Sequence, residues 1–478
     1  MERLLTAKQM READEYTVKH LNIPEEVLIQ RAGSAIVEEI TKRFLGGRVL
    51  VCIGKGNNGE DGKVVSEILS KKHGFSVAVL NVNNGIFKLL DKKYDIIVDC
   101  IFGTGLNRLV EGRYKQAIEK INSKDAYVVS CDIPSGLNSD NGTVMGASIK
   151  ANLTVCIQEY KLGCFLNDGP DYCGETVVRD IGISIWEDAC AHRLREQDVR
   201  KFFLDRKRNV NKGTFGKACI IGGSVNYPGS VMLSYSALLA FKTGVGYSSL
   251  CAPKSLMESF LRVCPECIFV ALDDDTNYVK FNQNQIEKLL SSDAICVGMG
   301  MGVTRENYKI IKFLLENYKG KLVIDADGLN TLSKYGVKIL KNKKCDVLIT
   351  PHVLEFSRLS EKKKEEIINE PIKYAHEFAK EYEVTVLLKS AVSVITDGKI
   401  IFINTTGNSG MAKAGSGDVL SGLTCGMLAR GLDLIDGATI SAYLFGKMGE
   451  QVKKEQNEYT MTASDLIKVV PSVINDLF

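Results

Sequence analysis

The 478-residue sequence contains no run approaching the roughly 18–20 consecutive apolar residues that cross a bilayer. Its opening residues, MERLLTAKQMREADEY, lack the apolar core and small-residue cleavage site of a secretory signal, so a cytoplasmic protein without membrane partners is expected. Net charge is scarce as well. Sixty-one Lys plus Arg against 58 Asp plus Glu leave +3, too little for this chain to bind nucleic acid through bulk charge. Low-complexity tracts are missing, and a composition of 45% hydrophobic and 25% charged residues excludes wholesale disorder. A paired zinc motif is missing too: the single C-x-x-C, Cys264 to Cys267, has no second pair and no nearby His. Among the 14 cysteines, Cys52, Cys100, Cys131, Cys156, Cys219 and Cys296 sit inside apolar runs and read as reduced, buried thiols.

What is present is length enough for two or three domains and an alternating α/β pattern. Thr6 with Gln9 forms a capping-box pattern, and Pro24 marks a first helical turn before EEVLIQRAGSAIVEEITKRF. Short apolar runs follow at 48–54, 76–82, 95–103, 126–134, 153–158 and 175–183, separated by segments of helical period. This alternation predicts a doubly wound parallel sheet, a Rossmann-like domain, over about residues 1–200. Lys201, Arg206, Lys207, Arg208, Lys212 and Lys217 then face only Asp205, which marks a junction; Lys212 and Lys217 read either as a solvated linker or as phosphate-facing cations. The pattern restarts with a strand at 217–223, a helix over SVMLSYSALLAFKTG, and strands at 294–300, 321–327, 346–351, 385–390 and 399–404. A second α/β domain over 205–478 is expected. Within it, EKKKEEIINEPIKYAHEFAKEYE spaces Ile367, Ile368, Ile372, Ala375 and Ala379 as one amphipathic helix that starts or kinks at Pro371.

Three strands of the first domain end in polar or glycine-rich loops: GKGNNGEDG (54–62), DCIFGTG (99–105) and DIPSG (132–136). In a doubly wound sheet these ends are where ligands bind. Asn58, Asp99, Asp132 and Ser135 offer hard oxygen donors suited to a monovalent or hard divalent cation, and one of the carboxylates can serve as a general acid/base. Taken singly, each Asp also reads as a turn or cap residue.

These loops in this order, behind two helices, resemble the N-terminal epimerase domain of the bifunctional NAD(P)H-hydrate repair enzymes. The resemblance implies epimerisation of the hydroxyl-bearing carbon of the hydrated nicotinamide ring of NADHX and NADPHX, with potassium bound. It assigns Asn58, Asp99 and Ser135 to potassium. It assigns Asn57, Asn58, Gly59, Glu60, Asp61, Gly103, Thr104, Gly105, Leu106, Asn107, Arg108, Leu109, Tyr114 and Asp132 to the hydrate, with Asp132 as catalytic acid/base. Family members read NNGGDG where this chain has Glu60; a side chain there would crowd the loop if the position needed positive φ.

In the second domain NTTGNSGMAKAGSGDVLSGLTCGMLARG (404–431) places a glycine-rich turn directly before Asp418 and a helix of small and apolar residues. Free amides at that helix start can stabilise charge on a transferring phosphoryl group, and Asp418 can accept the attacking hydroxyl's proton. A capping Asp is the plainer alternative for the residue alone. The pattern is not a Walker A motif. His352, Glu355, Arg358, Asp325, Asp327 and Lys389 fall just past other strands. With NKGTFGKACIIGGS at the entry, the set looks like the C-terminal, ribokinase-like dehydratase domain of the same family. That likeness implies phosphoryl transfer from ADP with magnesium, then loss of phosphate to give NAD(P)H. Lys389, Ser390, Ala391, Val392 and Ser393, with Asn408, Ser409, Gly410, Met411, Ala412, Lys413, Ala414, Gly415, Ser416 and Gly417, resemble the ADP segments. Gly302, His352, Val353, Leu354, Glu355, Phe356, Ser357, Arg358 and catalytic Asp418 resemble hydrate contacts. Leu354 and Ser390 stand where the family has glycine. A homo-oligomer is implied. The competing readings are a ribokinase-like small-molecule kinase fused to a nucleotide-binding domain, and a first domain that only binds and regulates.

Overall fold

A computed structural model describes all residues except 85–86, 186–188, 204–206, 241–242 and 276, so Asp205 and Arg206 of the basic junction lie outside the described residues. The chain divides into two compact units, Glu2–His192 and Arg193–Phe478, with Met1 grouped with the second.

In the first unit six strands form one parallel sheet: β1 (Gly47–Ile53), β2 (Phe75–Asn81), β3 (Ile96–Cys100), β4 (Tyr127–Cys131), β5 (Leu153–Ile157) and β6 (Glu175–Arg179). Their spatial order is β2-β1-β3-β4-β5-β6. The sequence of β1 shows why helices cover both faces. Successive strand side chains point to opposite faces, so Val49, Val51 and Ile53 enter one apolar cluster while Leu50 and Cys52 enter another. Residues of α1 (Ala7–His20), α2 (Glu25–Arg43) and α3 (Asn57–Ser70) share the first cluster, and α4 (Gly112–Asn122) shares the second. A run apolar at every position is thus buried on both sides. The Thr6–Gln9 capping box is formed, whereas Pro24 stands one residue outside α2 as its N-cap. The order in which strands are added reverses between β1 and β3, and a crevice opens beyond the carboxyl ends of strands at such a switch.

The second unit carries β7 (Lys217–Ile221), β8 (Tyr247–Pro253), β9 (Ile268–Leu272), β10 (Ala294–Val297), β11 (Lys321–Ile324), β12 (Asp346–Ile349), β13 (Thr385–Leu388), β14 (Ser393–Thr396) and β15 (Ile401–Asn404). Within this unit they lie in the order β9-β8-β7-β10-β11-β12-β13-β14-β15. The first seven are parallel, and β14 and β15 add antiparallel edges. Again alternate residues divide, Cys219 and Ile221 to one core, Ala218 and Ile220 to the other. The strands β8 and β14 escape the apolar-run reading because hydroxyls interrupt YSSLCAP and flank the short SVIT, whereas β9, IFVAL, is an apolar run that the reading passed over. The charged segment after β12 forms two helices rather than one, Lys364–Asn369 and Pro371–Tyr382. Proline lacks the amide an uninterrupted helix needs, and it takes the first position of the second helix. Its Ile367, Ala375 and Ala379 are buried, while Ile368 faces solvent.

At the junction, Lys212–Phe215 make a short 3₁₀ turn capped by Asn211, and the ammonium of Lys212 lies 4.7 Å from the centroid of the Tyr247 ring. Among the described residues all 14 cysteines are free thiols, most of them buried, and no helix is long and apolar enough to cross a membrane.

Candidate active sites

The first cleft, about 560 Å³, opens at the switch between β1 and β3. It forms because Gly54 lets the β1 loop press against the β3 loop: a Cβ there would stand 1.9 Å from the Ile101 carbonyl oxygen. The chain then enters α3 at Asn57, so Asn58 and Asp61 project from its first turns into the cleft. Gly103 approaches so closely that a Cβ would lie 3.5 Å from Asn58 Cβ and 3.6 Å from Asp132 Oδ2. The β1, β3 and β4 loops therefore meet at one place.

Asp99, at the end of β3, is fully buried. Ser135 donates from its amide (2.8 Å) and its hydroxyl (2.6 Å) to the two Asp99 oxygens, Ser130 and the Ile101 amide add further bonds, and Phe102 N donates to Ser135 Oγ at 2.8 Å. Burial still pushes the Asp99 carboxyl up against these bonds. Beside this knot, neither the oxygen nor the nitrogen of the buried Asn58 amide has a partner. A buried amide with both ends orphaned is costly, and it fits a ligand or cation that the protein alone does not supply. The neutral and anionic oxygens of Asn58, Asp99 and Ser135 suit potassium by chemistry.

Asp132 follows β4 with φ +70°, an uncommon left-handed conformation for a side-chain-bearing residue. That turn brings its carboxylate to the Ile157 amide (3.3 Å) and into an ion pair with Lys161 Nζ. Lys161 is only 1% exposed, and it also donates to the carbonyls of Ile157 (2.5 Å) and Glu159 (3.0 Å). Burial alone would lower its pKa; Asp132, with the Cys156 and Cys164 thiols, outweighs this and holds it above the ordinary lysine value. Burial and then Asp132 push Asp61 up to about 8, and burial and then Asp132 push Asp14 of α1 up to about 6.

Of the expected hydrate residues, Asn57, Asn58, Asp61, Gly103, Thr104, Gly105, Leu106, Asn107, Arg108, Tyr114 and Asp132 line the cleft, whereas Gly59, Glu60 and Leu109 do not. Glu60 sits in α3 without positive φ, and its carboxylate meets Lys63 Nζ at 2.7 and 2.9 Å, so the expected crowding does not arise. Lys161 and Asp14 are the additions that sequence reading did not single out. The isolated lysine in EYKLGCFL was the available signal, since a cation in an apolar run needs a partner.

The second site is built from the helices α5 (Pro228–Ala240), α6 (Asp327–Tyr335), α7 (Val353–Ser360) and α8 (Ser416–Ala429), the last at its centre. Gly415 takes φ +91° to open α8, and small residues along the helix let it pack directly on α5; a Cβ on Gly422 would lie 1.9 Å from Ser234 O. Asp418 in the first turn is pushed up to about 7, by burial first, with Asp325 adding and Ser230 and Lys389 opposing. Lys389, past β13, bonds Asp325 Oδ1 at 2.8 Å, and its Nζ would stand 3.3 Å from a Cβ on Gly417. Ser421 donates to the other Asp325 oxygen. Burial opposes the charge on Lys389, but Asp325 and Glu355 keep its pKa raised.

His352 caps α7 through Nδ1, and Glu355 returns a bond to the His352 amide at 2.8 Å. Burial pushes Glu355 up to about 7, and burial and then Lys389 lower His352. His352 also pairs across the backbone with Lys389, which joins the β12 and β13 ends. Gly302 N donates to Asp327 Oδ2 at 2.8 Å, so the β10 and β11 loops meet as well, and Arg358 reaches Asn330 at 2.8 Å. In the expected nucleotide segments, Ser390 Oγ donates to Val392 O, Asn408 caps the turn Ser409–Met411, and Lys413 bonds the carbonyls of Tyr459 and Met461. The buried Asn408 Nδ2 has no partner. Leu354 lies 45% exposed on α7, and neither Leu354 nor Ser390 has positive φ. Among the described residues no group of three His, Cys, Asp or Glu side chains forms a metal cage.

Two α/β units, each with acidic groups and glycine-rich turns at strand ends, define a two-domain small-molecule enzyme. A family profile described as "NAD(P)H-hydrate dehydratase" matches residues 218–472, and one described as "YjeF-related protein N-terminus" matches 25–88 and 84–163. The protein named "Bifunctional NAD(P)H-hydrate repair enzyme Nnr" in Thermofilum pendens is 32% identical over 97% of this chain and 94% of its own. The protein of that name in Archaeoglobus fulgidus is 31% identical over 94% of each. Among solved structures, the ADP/ATP-dependent NAD(P)H-hydrate dehydratase from Bacillus subtilis, co-crystallised with ATP and Mg²⁺, covers 59% of this chain and 98% of its own at 24% identity and TM-score 0.52. A ribokinase-like protein from Enterococcus faecalis covers 60% and 96% at 23% identity and the same score; both likenesses establish the ribokinase-like fold of the second unit. The chain belongs to the family of bifunctional NAD(P)H-hydrate repair enzymes, epimerase domain first and dehydratase domain second.

Proposed function

We propose that residues 1–200 interconvert the two epimers of NADHX and NADPHX, and that residues 205–478 dehydrate the (6S) epimer at the expense of ADP, giving AMP, phosphate and NAD(P)H. The observation that carries the second half is Asp418: an acid poised near neutrality at the start of a buried helix, with Lys389 beside it. Asp418 takes the proton of the ring hydroxyl as that oxygen attacks the β-phosphorus of ADP, and AMP leaves. The C–O bond of the phosphorylated hydrate then breaks with phosphate as leaving group, which hydroxide is not, and loss of a ring proton restores the double bond. The amides of Gly415 and Gly417 and the Lys389 ammonium face the charge that develops on the phosphoryl oxygens, the Ser416 amide being taken up by the Lys413 carbonyl. Magnesium would neutralise nucleotide phosphate charge and would be carried in on those phosphates.

In the first unit Asn58, Asp99 and Ser135 would hold potassium, which would supply positive charge in the cleft. Asp132 is its acid/base. The orphaned Asn58 amide supports this reading. A cytosolic, homo-oligomeric enzyme is the setting the family resemblance supports.

The test is a purified full chain given mixed NADHX epimers with potassium, magnesium and either ADP or ATP, following NADH. Conversion of both epimers faster than their spontaneous exchange is expected. A stop after one epimer would remove the epimerase activity, and a stable phosphorylated hydrate without NADH would make the second unit a kinase.

A further inference from the structure

The epimerase cleft contains more proton-carrying groups than a single acid/base needs. Lys161 is buried, yet its ammonium lines the cleft wall and is fixed by three acceptors: Asp132 and the carbonyls of Ile157 and Glu159. Asp61 lines the same cleft from α3, and Cys131 donates to its Oδ2 at 3.8 Å, one residue before Asp132. The carbon to be epimerised bears both the added hydroxyl and the ring nitrogen. Its C–H bond is not acidic, so the cheap route inverts it by breaking and remaking C–O, which requires one group to give a proton and another to take one.

We propose that Asp61 is the acid and Asp132 the base of this exchange, and that Lys161 is the positioning residue that holds the Asp132 carboxylate in place in the cleft. The inference rests on the epimerase reading above. Asp61 gives its proton to the hydroxyl; the C–O bond breaks, water departs, and the nitrogen lone pair forms a C=N⁺ bond. Water adds to the other face of that carbon, the new C–O bond forms, and Asp132 takes the water's proton. No electron is gained or lost, and proton exchange with solvent returns Asp132 to carboxylate and Asp61 to acid.

The charges facing the pair divide in a way that supports these roles. Asp132 meets the Lys161 ammonium directly, whereas the charges that act most on Asp61 are like ones, from Asp132, Asp14 of α1 and Glu60, with the thiol of Cys131 donating to it. Arg11, Lys55 and Arg108 lie elsewhere on the cleft lining, with Glu25 near Asp14. Burial and this repulsion keep the Asp61 proton on to about pH 8.

The experiment compares epimer exchange in wild type, Asp61→Asn and Lys161→Met across pH 5 to 9, with NADH production from the (6S) epimer by the same chain as an internal control. Wild-type kcat/KM should fall above about pH 8 as Asp61 ionises. Asp61→Asn should lose at least about 100-fold in kcat with KM little changed. Lys161→Met should lose kcat with KM little changed. Lys161→Ala, with the same fold checked by near-ultraviolet circular dichroism, should regain rate with ethylammonium and not with ethanol. An Asp61→Asn enzyme that keeps both rate and alkaline limb overturns the acid. Lys161 variants that are folded but show no amine rescue, or that regain rate equally with ethanol, reduce Lys161 to packing. A wild type without epimer exchange refutes the underlying reading instead, separately from the roles assigned here.

Discussion

Replacing Asp418 by Asn should remove activity while stabilising the second unit, a pairing that a mere helix cap would not give. The carboxyl titrates near 3.8 when free and at about 7 in the fold, chiefly through burial. Between those values the folded chain holds a proton that the unfolded chain has lost, so stability falls as pH rises from about 4 to 7. Above 7 the cost is fully present, and below 4 it is absent. In full it would be about 4 kcal/mol, since each pKa unit is worth about 1.4 kcal/mol. Asn keeps the burial of a polar group, and partial solvation of Asp418 screens the charge, so a gain of about 1–3 kcal/mol at pH 8 is the working figure. The assay is calorimetry of the full chain, comparing variant with wild type at pH 8 and again at pH 4, where the difference should vanish. Turnover at saturating hydrate should fall by roughly 100-fold to 10,000-fold in the variant. In wild type the ionised fraction rises from about one in eleven at pH 6 to about ten in eleven at pH 8, so the dehydration rate should rise about tenfold. A variant less stable than wild type at pH 8, or a wild-type rate flat across this range, would refute the assignment of Asp418 as a base held at the expense of stability.

Three further outcomes follow from the same geometry. Glu60→Gly should leave epimer exchange within about twofold of wild type, because the side chain points to Lys63 and not into the cleft. Lys389→Met should cost about 3–5 kcal/mol in urea unfolding and abolish NADH formation, since it strands the 1%-exposed Asp325 without its cation. Gly422→Ala should destabilise the second unit by about 1–3 kcal/mol with the first unit's transition unmoved, because its Cβ would meet Ser234 O at 1.9 Å. Equal melting of Gly422→Ala and wild type would show that α8 and α5 are not in such close contact.

The sequence by itself determined the first sheet and the parallel centre of the second, because strands buried on two faces are apolar at successive positions, as in VLVCI, and because loops rich in glycine and carboxylate end them. It also determined the order of the two domains and the residues of the paired loops. Short-range chemistry was enough for that: caps, turns and periodicity act within a few residues. What it left open were contacts between residues far apart in the chain. Lys161 is nearly 30 positions from Asp132, and its apolar surroundings call for a partner without naming which one. Two local outcomes needed the backbone as well: Pro371 starts a second helix rather than kinking one, and Glu60 takes a helical conformation that turns it to Lys63. Only tertiary structure decided which carboxyls hold a proton. Burial and neighbouring charge set those values, and both come from the packing of strand ends that the sequence orders but does not place.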